Sequence, residues 1–369
     1  MSKVCHVTSA HRSDDVRIFQ KECVSLASAG YDTYLVAQGE SREEKGVHVV
    51  GIGENAPASR IRRMTEFSGK IYKKALELDA DIYHLHDPEL LPYGLKLKKK
   101  GKRVIFDSHE NTLEQMREKA YIPTALRPLV SNFYSSYAKR VFKHMDALIS
   151  VTPHIIDQLR AVNPNTWMIT NYPLLRAATD TSKRNHDEFI LCFSGGIDQQ
   201  WSHGAIIDCI AGDPAVTYEL CGSGEEAYIN ELKAKAGWKN VRFHGKVSHD
   251  EALNIQRNAD VGMAILQPGR NTGFMTGTIG NTKLFEYMMS EIPVICTDFD
   301  LWKNIINEYD CGICVASDKP EEILEAIRYL RRNSEKAKQM GANGRKAVEQ
   351  EFNWETQEEK LTELYKKII

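Results

Sequence analysis

The sequence contains no run approaching the roughly 20 consecutive apolar residues that a membrane-spanning helix needs, so no membrane span is expected. Its opening, MSKVCHVTSAHRSDD, is a short strand-like run followed by charge rather than a signal peptide, which predicts a cytoplasmic protein. The Gly-x-Gly-x-x-Gly fingerprint of a dinucleotide fold is missing after the first apolar run, where HRSDDVRIFQKE (11–22) stands instead. That argues against a nicotinamide or flavin oxidoreductase, and no cofactor is expected. Cysteine is sparse, with eight in 369 residues. Six (Cys5, Cys23, Cys192, Cys209, Cys221 and Cys296) are scattered through apolar segments, as buried thiols are. Cys311 and Cys314 form a lone C-x-x-C with no second pair at zinc spacing, so no metal is expected there; the pair reads as an edge of the core, with Gly312 turning the chain and Cys314 pointing inward. The basic clusters RIRRM (60–64) and KLKKKGKR (96–103) do not interleave aromatics, and with no nucleic-acid motif present a nucleic-acid partner is not expected.

What is present suits a two-domain enzyme. At about 150 residues per domain the length favours two domains, and 42% hydrophobic with 27% charged residues is ample for two cores. The net charge of −2 hides an asymmetry. Residues 1–170 carry 25 Lys+Arg against 20 Asp+Glu, whereas residues 171–369 carry 23 against 30. The basic first half admits contact with an anionic membrane surface, although a solvated helix face explains the same clusters.

Short apolar runs at 3–9, 32–38, 47–53, 81–86, 103–107 and 147–151 read as strands, with helix-like stretches between several of them. In 16–29, Val16, Phe19, Cys23, Leu26 and Ala27 recur at helical spacing until Gly30. Alternation restarts with strands at 189–194, 216–221, 241–245, 261–266, 293–297 and 311–315, and the chain from 319 onward is nearly all helical. Such alternation predicts parallel sheets covered by helices, two doubly wound α/β domains in tandem. The predicted division is an N-terminal domain over 1–171, a linker over 172–188, a C-terminal domain over 189–350 and a returning helix over 351–369.

In doubly wound sheets ligands bind beyond the carboxyl ends of the strands. Three successive loops of the second half, GGIDQQWSHG (195–204), GSGEE (222–226) and GKVSHDE (245–251), open with glycine and lead into helices. Gly195 and Gly196 let backbone approach a ligand, and the three loops together point to a phosphate-bearing one. Lys283 and Glu286 begin the amphipathic run after Gly280, three residues apart and so on one face. A lysine in a first helical turn is repelled by the macrodipole unless an anion is bound there. Lys283 with the helix amides would hold a diphosphate, and Glu286 a ribose diol; a plain ion pair is the other reading. In the first half, HRSDD, HLHDPELLP (84–92) and DSHEN (107–111) follow strands, and bring His86, Asp87 and His109 to neighbouring strand ends.

At these residues the chain resembles the retaining glycosyltransferases of family 4. The resemblance runs through HRSDDVRIFQKECVSLASAGY, DIYHLHDPELLP, VIFDSHE, NADVGMAIL, TKLFEYMMSEIPVICTD, CGICV followed by DKPEEILEAI, and GANGRKAVEQEFNWETQEEKLTELY. It implies the GT-B fold, two Rossmann-like domains facing a central cleft, with closing helices that cross back to the first domain. By that resemblance Glu286 is the second glutamate of an E-x7-E element and holds the donor's ribose, while Lys283 faces the diphosphate. Gly245, Lys246 and Val247 line the base, Gly222 sits in the loop after the second donor-domain strand, and His109 touches the transferred sugar. His11, Arg12, Asp15 and Arg17 close over donor and acceptor. The chain departs from the pattern at Thr278, where the first glutamate would fall, at His203, where many relatives have Arg or Lys, and at Gly196, where others have Arg. Lys283, Arg270 and backbone amides of 277–282, including those of Asn281 and Thr282, are left to balance the diphosphate. Either the donor is unusual or activity is reduced.

The expectation is therefore transfer of a sugar from a UDP- or GDP-linked donor to a saccharide or polyprenyl-linked acceptor in surface polysaccharide synthesis. Retention by front-face attack, without a metal in the step, is implied by the resemblance. A nucleotide-sugar 2-epimerase of the same fold and a two-lobed sugar-binding protein are the alternatives. The segment YIPTALRPLVSNFYSSYAKRVFKHM (121–145) is read either as a membrane-contacting surface or as a core helix.

Overall fold

A computed structural model describes residues 1–108, 122–176, 188–270 and 272–369. The chain divides into two units, Met1–Asn171 with Trp354–Ile369 and Tyr172–Asn353. Both are doubly wound α/β structures.

The strands of the first unit are β1 (Lys3–Arg12), β2 (Asp32–Gln38), β3 (Arg42–Glu44), β4 (Val47–Gly51), β5 (Ile82–Leu85), β6 (Arg103–Ser108), β7 (Ala147–Ser150) and β8 (Thr166–Met168). They lie in the order β3-β4-β2-β1-β5-β6-β7-β8, parallel except for the β3–β4 pair. The second unit holds β9 (Phe189–Ser194), β10 (Val216–Cys221), β11 (Val241–Gly245), β12 (Val261–Ala264), β13 (Val294–Thr297) and β14 (Gly312–Val315), in the order β11-β10-β9-β12-β13-β14. Every residue of β5, β7, β10, β12 and β13 is buried, as strands covered on both faces require. The strand order reverses at β1/β5 in one sheet and at β9/β12 in the other, which is where open α/β sheets leave a crevice.

The stretch expected as a linker begins inside the second unit. The buried Tyr172 ring packs edge-on against Phe285 at 4.7 Å and Phe352 at 5.5 Å, and Arg345 donates to the Arg176 carbonyl at 2.6 Å. Residues 177–187 of that stretch lie outside the described residues. The chain returns to the first unit at Trp354, three residues later than position 351. Trp354 Nε1 donates to Ser25 Oγ at 2.9 Å, and the Thr170 amide donates to Gln357 Oε1 at 3.1 Å, so the helix Trp354–Ile368 is part of the first unit's fabric. Among the described residues no helix is long and apolar enough to cross a membrane. The cysteines are free thiols; Cys209 and Cys314 are only half-buried, and the Cys314 sulfur faces Cys296 Sγ at 3.8 Å.

Candidate active site

A cavity of about 400 Å³ opens at the reversal point of the second sheet. Its walls are the loops after β9, β10 and β11 and the start of the helix Lys283–Met289. Two glycines let these walls close. A Cβ on Gly222, whose φ is +142°, would fall 1.7 Å from the Gly195 carbonyl oxygen, and a Cβ on Gly195 would fall 2.5 Å from Lys283 Nζ. Behind them, Gly262 in β12 lets the helix lie close, because a Cβ there would meet the Tyr287 ring at 2.2 Å. The Gly222 amide donates to the Gly245 carbonyl at 2.7 Å and the Gly195 amide to Cys221 at 3.0 Å, tying the three loops into one cradle.

Lys283 is the first residue of its helix, and Asn281 Oδ1 accepts its amide hydrogen at 3.1 Å. Its ammonium lies over the rings of Trp201 (4.6 Å) and Phe193 (5.0 Å). Burial lowers its pKa, against the opposing charges of Glu286 and Asp198. Among the described residues no carboxylate stands within 4 Å of this ammonium, and no ion pair joins it to Glu286. Both side chains line the cavity. The spacing in the sequence thus yields two charged groups that face one space without neutralising each other. Gly195, Gly196, Gly222, Lys246, Val247 and Thr282 share this cavity.

Five expected donor residues do not line it. His203 is fully buried: its Nδ1 bonds the Tyr218 hydroxyl at 3.0 Å and its ring meets Phe193 edge-on at 4.5 Å. Burial, reinforced by the Lys283 charge, pulls its pKa down to about 3, so it packs as a neutral imidazole and supplies no cation. Thr278 shapes the preceding loop, its carbonyl accepting from Trp302 Nε1 at 2.6 Å and its hydroxyl from the Gly280 amide at 3.1 Å. Arg270 lies with its guanidinium 6.0 Å from the Phe274 ring, and Asn281 serves its own helix. Gly245 contributes through its carbonyl, behind the wall. Sequence reasoning missed Ser194, Ser248, His249 and Gln256, all of which line the cavity. Gln256 Nε2 donates to Ser194 Oγ at 2.6 Å. Ser248 caps the helix His249–Arg257 through the Glu251 amide at 3.2 Å, which the motif Ser-x-x-Glu could have signalled.

In the first unit His11, Asp15 and Asp87 come together. His11 Nδ1 meets Asp15 Oδ2 at 3.3 Å, and its Nε2 lies 3.6 Å from Asp87 Oδ1. Burial alone would lower the His11 pKa, but the Asp15 hydrogen bond and the Asp87 and Asp15 charges outweigh it and push it up to about 9. Asp87 Oδ2 accepts from Thr8 Oγ1 (2.8 Å), the Ser9 amide (2.6 Å) and the Ala10 amide (3.2 Å); burial still raises its pKa, against the His11 charge. Three expected neighbours lie elsewhere, and a fourth falls outside the described residues. Arg12 forms an exposed fork with Asp14 at 2.9 Å. Arg17 is buried, bound to Asp107 Oδ2 at 2.9 Å and the Ile169 carbonyl at 3.1 Å. His86 is buried beside His6. The side chains of Arg17 and His86 are therefore interior groups rather than exposed loop groups. His109 lies outside the described residues.

Comparison with known proteins fits this geometry. Residues 20–170 match the family model Glycosyltransferase Family 4, and residues 173–347 match Glycosyl transferases group 1. The D-rhamnosyltransferase WbpZ of Pseudomonas aeruginosa is 23% identical over 380 aligned positions, covering 95% of this chain and 92% of that protein. Among solved structures, sucrose-phosphate synthase from Thermosynechococcus elongatus superposes with a TM-score of 0.80 at 17% identity, covering 100% of this chain and 99% of that one. Anabaena HepE in complex with UDP and glucose superposes at 0.73 with 12% identity, each chain covered in full (100%). With two family models matched in succession along two doubly wound units, the chain belongs to the family-4, group 1 glycosyltransferases of the GT-B fold.

Proposed function

We propose that this glycosyltransferase takes its sugar from a UDP- or GDP-linked donor held in the second unit's cavity and passes it, with retention, to a saccharide or polyprenyl-linked acceptor in surface polysaccharide synthesis. One observation carries the reading: a half-buried ammonium without a counter-charge at hydrogen-bonding distance, facing a polar cavity beside two glycine loops. A diphosphate supplies that missing counter-charge. Breaking the anomeric C–O bond leaves further negative charge on the diphosphate, and Lys283, fixed between two rings, stabilises it without reorganising. Glu286, one turn along, accepts hydrogen bonds from the ribose diol. The leaving phosphate takes the acceptor's proton in a front-face attack, and His109 orients the sugar; both roles rest on the family resemblance. Lys283 carries the charge that a divalent ion would otherwise carry, so omitting magnesium should leave turnover unchanged.

Calorimetry with UDP and GDP, followed by a panel of their sugars, tests the donor. Glu286→Gln is expected to weaken nucleotide affinity about tenfold, the loss of a charge-assisted hydrogen bond. Unchanged affinity removes Glu286 from the ribose. Incubation with donor alone should give no isomer; an epimerised sugar would favour the epimerase.

The acceptor reading draws support from an exposed apolar stripe on the helix Arg127–Phe142. Leu126, Leu129, Val130 and Phe133 follow one helical face at 50%, 70%, 37% and 77% exposure, with Arg127 among them. Such a stripe suits peripheral contact with an anionic bilayer that carries a lipid-linked acceptor. Sedimentation with phosphatidylglycerol vesicles should fall at least severalfold in Phe133→Ser; equal sedimentation of both proteins would refute the contact.

A further inference from the structure

Outside these sites, the first unit buries three histidines and a glutamate in one knot. Parallel pairing sets His6 of β1 opposite His84 of β5, and His86 projects from the same face two residues on. Glu22 enters from the helical stretch Val16–Cys23. All four side chains are fully or almost fully buried. One ligating atom from each can be chosen so that all lie within 4.8 Å of one another. The closer separations are specific. His6 Nδ1 lies 2.9 Å from His86 Nε2, and Glu22 Oε2 lies 3.7 Å from His6 Nδ1, 3.8 Å from His86 Nε2 and 3.9 Å from His84 Nδ1. A tetrahedral zinc with bonds of about 2.0–2.1 Å separates its ligand atoms by about 3.4 Å. These four separations bracket that value; His84 Nδ1 also bonds the Tyr365 hydroxyl at 2.9 Å, a contact that coordination through this atom displaces.

The surroundings are arranged as a metal site's are. Glu22 Oε1 pairs with Arg17 Nε at 3.0 Å, while Oε2 faces the three imidazoles. Coordination through Nδ1 leaves His6 Nε2–H to donate to the Tyr365 hydroxyl at 3.4 Å. Coordination through Nε2 turns His86 Nδ1–H toward Asp107 Oδ2 at 3.8 Å. Ligating imidazoles are commonly oriented by such outer partners.

We infer that His6, His84, His86 and Glu22 form a buried four-coordinate site for a divalent transition metal, zinc by its ligand set, that fastens β1, β5 and the first helix together. Being sealed from solvent, the ion is structural, takes no part in transfer, and is acquired as the unit folds. The inference is independent of the donor assignment.

Full-length protein from zinc-supplemented culture, gel-filtered and measured by plasma mass spectrometry, is expected to hold about one zinc per chain. Cobalt in its place should show the intense visible absorption of a tetrahedral centre. His84→Asn should cut metal content at least about tenfold. If His84→Asn does not fold, the wild-type chain decides: zinc added to metal-free protein should raise its melting temperature by several degrees. Less than about a tenth of an equivalent in wild type, with melting unmoved by zinc, overturns the site and leaves a knot held by shared protons.

Discussion

Replacing Lys283 with alanine is expected to lower turnover by at least roughly a hundredfold, the usual cost of removing a fixed charge from a developing oxyanion. The expected size follows from the isolation of the group. Its ammonium lies over two aromatic rings, and no carboxylate among the described residues approaches to ion-pair distance. A charge so placed is costly to keep unless a ligand answers it. The same variant should melt close to, or above, the wild-type temperature. It gives up cation–π contacts of about 0.5–2 kcal/mol but also relieves a desolvated cation. Steady-state kinetics and a melting curve on one preparation therefore separate a functional group from a structural one. Near-normal turnover would remove Lys283 from the chemistry, and a deep loss of stability would assign it to the core.

Gly222→Ala is expected to be the most disruptive single methyl in the second unit. The added carbon would meet a backbone oxygen at 1.7 Å, and backbone cannot swing aside as a side-chain tip can. The loops after β9 and β10 would have to part, and the residue would also be held at a φ of +142° that L side chains rarely adopt. Destabilisation of at least about 3 kcal/mol is expected, a fall in melting temperature of roughly 6–12 °C for a unit of this size. Since those loops are the cavity wall, nucleotide affinity should fall more than tenfold in whatever protein folds. Gly245→Ala is the control. Its φ is +66°, but a Cβ there meets nothing within 4 Å, so only the backbone cost of about 1–2 kcal/mol applies. Equal melting temperatures for the two variants would contradict the close approach.

The sheets were legible because strands buried on both faces must be apolar throughout, and runs such as Val216–Cys221 and Val294–Thr297 stand out. The strand Arg42–Glu44 was not, since an edge strand of three charged residues carries no apolar signal. That Lys283 and Glu286 begin one helix and face one cavity was legible because helical spacing acts within a single turn. His203 was misread because nothing local reveals that Phe193 and Tyr218 enclose it. Arg17 and His86 misled similarly: each follows or closes a loop in sequence, yet each side chain turns inward toward partners 90 and 80 residues away. The histidine knot was invisible for the same reason. It depends on the register between β1 and β5, a long-range fact that no window of sequence contains.

The return of the helix Trp354–Ile368 to the first unit has a consequence for biosynthesis. Trp354 and Tyr365 are buried there, and Tyr365 bonds His84 Nδ1 at 2.9 Å. A ribosome delivers these residues only after the whole of Tyr172–Asn353 has emerged. The first unit therefore lacks a buried part of its interior until residues 172–353 have been synthesised.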